Sequence, residues 1–125
     1  MASTGEHPRG ESVKYSQEID SPDEHEEREG RSLVTRNHDV IQQWAEARGA
    51  IPATISDTEH GGHLGVLRLD FPSGDSPANS RLEHVEWEEW FRTFDERGLN
   101  FIYQEHRMDG RESNFFRLQN PDNED

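Results

Sequence analysis

A chain of 125 residues, 29% hydrophobic and 32% charged, has room for one small domain and not for two. It contains no cysteine, which excludes disulfides, thiolate zinc sites and thiol catalysis. The net charge of −14, with Lys14 as the sole lysine, works against nucleic acid or an anionic membrane as partner unless the arginines cluster.

No apolar run approaches the roughly 18 residues of a membrane-spanning helix, and the polar N-terminus lacks a signal-peptide core. The expectation is a cytoplasmic protein with no membrane partner. Abundant Asp and Glu with scarce lysine also fit adaptation to high salt, where screening relieves self-repulsion.

Residues 1–31 read as a disordered acidic tail, because Glu, Ser, Gly, Pro and His supply almost no apolar surface to offset the entropy of ordering. The run from Asp23 to Glu29 is its densest charge block. A single α+β domain is expected over 32–118, followed by a frayed acidic C-terminus over 119–125.

The first predicted element is a helix from about His38 to Arg48. Asn37 or Thr35 is placed to cap it, Asp39 suits the positive end of its dipole, and Gly49 suits its C-terminal exit. Ile41, Trp44 and Ala45 share its inner face. Ile51 to Ile55 alternates as a strand with positions 51, 53 and 55 on one side, and Pro52 predicts an edge strand or a strand start. Ser56 to Leu64 is a loop. Leu67, Leu69 and Phe71 alternate with Arg68 and Asp70, predicting a strand over Gly65 to Phe71. Pro72 to Ser80 is a turn-rich connector, and Leu82 with Val85 forms an extended lead-in to the next helix.

That helix holds the strongest pattern in the chain. Trp87, Trp90, Phe91 and Phe94 fall at i, i+3, i+4 and i+7, on one helical stripe, and Gly98 should end it. Leu99 to Gln104, a turn at Met108-Asp109-Gly110 and a return over Ser113 to Leu118 predict a terminal hairpin. The order αββαββ implies two helices packed on one face of a four-stranded, mainly antiparallel sheet. The other sheet face would be open and carry Arg68 with Gln104 and Arg117, which together with Arg107 on the terminal hairpin are the binding candidates.

For chemistry, the chain offers no Gly-x-Ser-x-Gly elbow and no Gly-rich phosphate loop between a strand and a helix. Glu59, His60 and His63 are a weak metal candidate, since their spacing matches no established ligand pattern. No catalytic residue and no cofactor is therefore expected. A small non-catalytic binding or regulatory domain, with another protein as partner, fits best. The alternative is a nucleic-acid-binding regulator that stacks bases on the arginine-bearing sheet face.

The segments Ile41 to Gly49 with Pro52-Ala-Thr, Gly65 to Pro72, Trp87 to Phe94, Tyr103-Gln104 and Gly110 to Phe115 occur in the order seen in one group of proteins. They resemble a family of small uncharacterised bacterial proteins labelled 1,4-alpha-glucan branching enzyme. The likeness spans about Asp39 to Leu118, and Glu86 stands where that family has a serine before the helix. It implies a bacterial setting and, by its label, a polysaccharide-related enzyme. A branching enzyme, however, needs a (β/α)₈ barrel of about 250 residues, so no catalytic residue carries over.

Overall fold

The computed structural model describes residues 16–55, 65–71 and 82–120. The expectations for residues 1–15, the Ser56–Leu64 loop with Glu59, His60 and His63, the connector from Pro72 and residues 121–125 lie outside the described residues. The fold is α+β, with two helices and two sheets in place of the single four-stranded sheet expected. Its elements are β1 (Gln17–Glu18), β2 (Leu33–Thr35), α1 (His38–Ala47), β3 (Ile51–Ile55), β4 (Leu67–Asp70), β5 (Leu82–His84), α2 (Trp87–Glu96), β6 (Asn100–Tyr103) and β7 (Phe116–Gln119). One sheet runs β1-β2-β6-β7, with β1 and β2 parallel; the other runs β4-β3-β5 and is antiparallel. Leu33-Val34-Thr35 is too short to show an alternation, yet all three residues are buried, and this strand takes the hairpin as its partner.

The chain divides into two compact units, His38–Arg97 and the segments Met1–Asn37 with Gly98–Asp125. In the first, α1 buries Val40, Ile41, Trp44 and Ala45. It closes as a Schellman motif: Gly49 at φ +72 donates to the Glu46 carbonyl and Ala50 to that of Ala45. The Arg48 guanidinium lies 4.5 Å from the centre of the Trp44 ring. β3 is the central strand, not an edge, even though it contains Pro52. The Pro52 carbonyl accepts from Val85 N–H just past the end of β5, so the proline forfeits only the reciprocal bond of this last pair, at the end of the ladder. Pro52 pairs with Leu69 and Thr54 with Leu67, and both are buried; Ala53 on the opposite side is buried too, while Ile51 and Ile55 at the strand ends are half-buried.

The α2 stripe behaves as its spacing predicts for three of its four rings. Trp90, Phe91 and Phe94 are buried, while Trp87 is half-buried and stacks on Phe91 at 5.1 Å. Removing each buried ring from water is worth about 1.5–3 kcal/mol. Trp90 also donates its indole N–H to the Arg68 carbonyl at 3.0 Å, so the largest core side chain leaves no polar atom bare. Glu86 begins the helix without a side-chain cap, and Gly98 at φ +62 follows its end.

In the second unit β6 is buried along its whole length. On one face Val34 lies opposite Ile102; on the other Phe101 stacks on Phe116 at 5.8 Å. The sheet contains a buried amide pair: Asn100 donates to the Gln119 side-chain oxygen at 2.8 Å and accepts from Arg36 Nε at 2.7 Å. Residues 16–31, expected to belong to the tail, carry β1 and bury Ile19 completely. Ordering here comes from hydrogen bonds that composition does not report: Gln17 donates to the His25 carbonyl and accepts from Glu27 N–H, each at 2.9 Å. Among the described residues, no helix is long and apolar enough to cross a membrane.

Candidate functional site

Every histidine among the described residues stands against a carboxylate. His38 meets Asp95 at 2.9 Å, His84 meets Asp70 at 2.7 Å, His25 meets Glu105 at 3.0 Å and His106 meets Glu26 at 2.6 Å. In a chain this acidic a single pair carries little information. The first two pairs are local supports within the helical unit: His38, for example, also stacks flat on Phe91 at 4.2 Å.

The other two pairs share one place. The dipeptide His25-Glu26 lies alongside Glu105-His106, so that residues 80 positions apart face each other twice in the same register. Two backbone features bring them together. β6 runs on into Glu105 and His106, and the turn at Gly30 closes the β1–β2 loop against the same hairpin. Gly30 N–H donates to the His106 carbonyl at 3.0 Å, and Gln104 Nε2 donates to the Gly30 carbonyl at 3.2 Å. Gly30 has φ +86, and a Cβ there would stand 2.4 Å from the Met108 side chain, so only glycine fits this approach. Beyond His106, the Gly110 N–H donates to the Arg107 carbonyl at 2.9 Å and closes the turn at the hairpin tip.

The Glu26 side chain is only 10% exposed and that of Glu105 18%, whereas His25 and His106 keep 60% and 44% of their surface open to solvent. The carboxylates are the floor of the cluster and the imidazoles its rim. Glu26 Oε2 accepts from His106, but Glu26 Oε1 is buried and has no hydrogen-bond partner. One donor atom each from Glu26, Glu105 and His106 lie within 4.8 Å of one another, which makes these the residues able to hold a metal among those described.

The arginine candidates are dispersed by the fold. Arg68 is an exposed residue of β4, in the three-stranded sheet, while Arg117 lies on β7 of the other sheet, paired with Ile102. Arg107 is exposed in the hairpin turn, and Gln104 is half-buried, with its oxygen accepting from Ser113 Oγ at 2.9 Å. The open sheet face that was to carry Arg68, Gln104 and Arg117 together does not exist as one sheet.

Sequence reasoning overlooked the His25, Glu26, Glu105 and His106 cluster because it assigned the first pair to a tail and the second to a strand end. The usable signal was the mirrored order, His-Glu in one segment and Glu-His in the other. Comparison with family models, with curated proteins and with solved structures finds no match to this chain.

Proposed function

We propose that the chain is a small non-catalytic binding domain that docks onto another protein through its terminal hairpin arm, from Gln104 to Phe115. One observation carries the reading. The chain is only 29% hydrophobic, yet Met108 is 85% exposed and Phe115 48% exposed on this one arm. Isolated apolar side chains are ordinary on surfaces, but Met, Phe and Arg are the residue types enriched in protein interfaces. Here Met108 and Phe115 accompany Arg107 and Arg111, all four exposed.

Such an arm suits a partner surface with an apolar pocket and a few carboxylates. The nucleic-acid reading has less support, since its arginines Arg68 and Arg117 belong to different sheets and the chain as a whole is strongly negative.

A photo-reactive residue at position 108, used in native lysate, tests the reading. A discrete cross-linked protein is expected, lost with Phe115→Asp or Arg107→Glu and kept with Val66→Asp. Identical cross-linking in all three variants overturns the proposal. Retention on a single-stranded oligonucleotide at low salt, abolished by Arg117→Ala, replaces it with the nucleic-acid reading.

A further inference from the structure

The Glu26–Glu105–His106 cluster has a feature that two ion pairs do not explain. A carboxylate oxygen shielded from water normally accepts from something, because the stripped charge is otherwise expensive. Glu26 Oε1 is shielded and has no hydrogen-bond partner, although its sister oxygen is 2.6 Å from His106 Nδ1. Glu105 brings a second carboxylate to the same spot: its Oε1 lies 3.5 Å from the Glu26 backbone nitrogen, and its Oε2 is 3.0 Å from His25 Nδ1. Two acid groups sunk beneath two imidazoles, one oxygen lacking a partner, form an arrangement that a cation completes.

We infer that Glu26, Glu105 and His106 are a binding site for a divalent first-row transition cation such as Zn²⁺, with His25 holding Glu105 in position. The donor set decides the class of ion. One imidazole nitrogen with two carboxylate oxygens is a mixed set suited to Zn²⁺, Fe²⁺ or Co²⁺, and it lacks the six or more oxygens that Ca²⁺ takes. The geometry is close to sufficient. Ligand atoms about 2.0–2.2 Å from a tetrahedral ion stand roughly 3.3–3.6 Å apart, so donor atoms within 4.8 Å of one another close on it with side-chain shifts of about 1 Å. His106 is 44% exposed, which leaves a path for entry and room for water at a fourth position. A bound ion would also pin residues 25–26 to the hairpin across a sequence separation of 80.

The test uses the full chain, stripped with chelator and kept in moderate salt with excess Mg²⁺ to occupy non-specific carboxylates. Zn²⁺ is titrated by calorimetry while the imidazole nitrogens are followed by NMR. Saturable one-to-one binding is expected, with the His106 ring nitrogens shifting. Glu26→Gln, which keeps the side-chain shape, and Glu105→Gln should each weaken binding at least tenfold. A His60→Ala, His63→Ala double variant should bind as the parent does. Co²⁺ in place of Zn²⁺ should add visible absorption bands that Glu26→Gln removes. If Zn²⁺ leaves the His106 resonances unmoved, or if Glu26→Gln and Glu105→Gln bind like the parent, the cluster is two ion pairs and the inference is wrong. The NMR arm on the unaltered protein decides the matter even where a variant fails to fold.

Discussion

The two units of this chain are held by different means. His38–Arg97 is an aromatic assembly in which Trp90 lies edge-on to Trp87, stacks on Phe94 at 5.7 Å and meets Phe91 edge-on at 5.5 Å. The unit built on β1-β2-β6-β7 adds to the buried strand β6 a set of polar groups far apart in sequence: Asn100 with Gln119 and Arg36, Gly30 with His106, and the two Glu–His pairs. Aromatic packing is tolerant of detail and additive in area. Polar networks are strict, because each unmet partner leaves a desolvated atom behind. The first unit should therefore fail in proportion to the buried area lost, and the second according to which partner is removed.

The largest effect belongs to Trp90→Ala. Removing a fully buried indole with its hydrogen bond should cost about 3–5 kcal/mol. Trp44, Trp87 and Trp90 are the chain's three tryptophans and all lie in His38–Arg97, so tryptophan fluorescence in urea reports on this unit. Trp87→Ala, at a half-buried position, should cost less than half as much. Equal losses at the two positions would mean that burial is not what matters here.

Next comes Asn100→Ala. It removes the donor to the Gln119 side-chain oxygen and the acceptor of Arg36 Nε, in a pair where both amides are almost fully buried. A loss of about 2–3 kcal/mol is expected. Replacing both amides together, Asn100→Leu with Gln119→Leu, should cost less than the two single losses summed, with a coupling of about 1–2 kcal/mol. Amide hydrogen exchange in β6 and β7 measures it. Strict additivity would sink the contrast with the aromatic unit.

Gly30→Ala is expected to cost about 1–2 kcal/mol for its left-handed backbone, before any clash is counted. An alanine Cβ meets the Met108 Cγ at 2.4 Å and backbone atoms of Met108 at 3.1 and 3.2 Å. Met108→Ala should thus restore only part of the loss, because the backbone contacts and the φ of +86 remain. Complete rescue would show that the side-chain contact, and not the backbone, makes glycine necessary.

This contrast also explains what could be read from residues alone. Aromatic spacing exposes itself locally: positions 87, 90, 91 and 94 mark one helical face, and Gly49 after Arg48 marks an exit, whatever the rest of the chain does. Pro52 misled because its rule concerns a missing donor, and whether that donor is needed depends on where the neighbouring strand β5 stops. β1, β2 and the candidate site were hidden for a related reason. Gln17, His25 and Glu26 acquire meaning only through partners eight to eighty residues away, and composition sees in them a solvated tail. Arg68 and Arg117 were read as one face because nothing local tells which sheet a strand will join.

The smallest effect is expected at Glu88 and Arg92, an i,i+4 pair on the exposed side of α2 with 3.8 Å between charged atoms and side chains 86% and 61% exposed. A double-mutant cycle with Glu88→Gln and Arg92→Gln should return a coupling of no more than about 0.5 kcal/mol, fading in 1 M salt. The same salt should raise the melting temperature of the whole protein. At a net charge of −14, screening relieves more repulsion than it removes attraction of this kind. A melting temperature that fell with added salt would reverse that order: attractive pairs such as His106 with Glu26 would outweigh the repulsion, and adaptation to high salt would lose its basis.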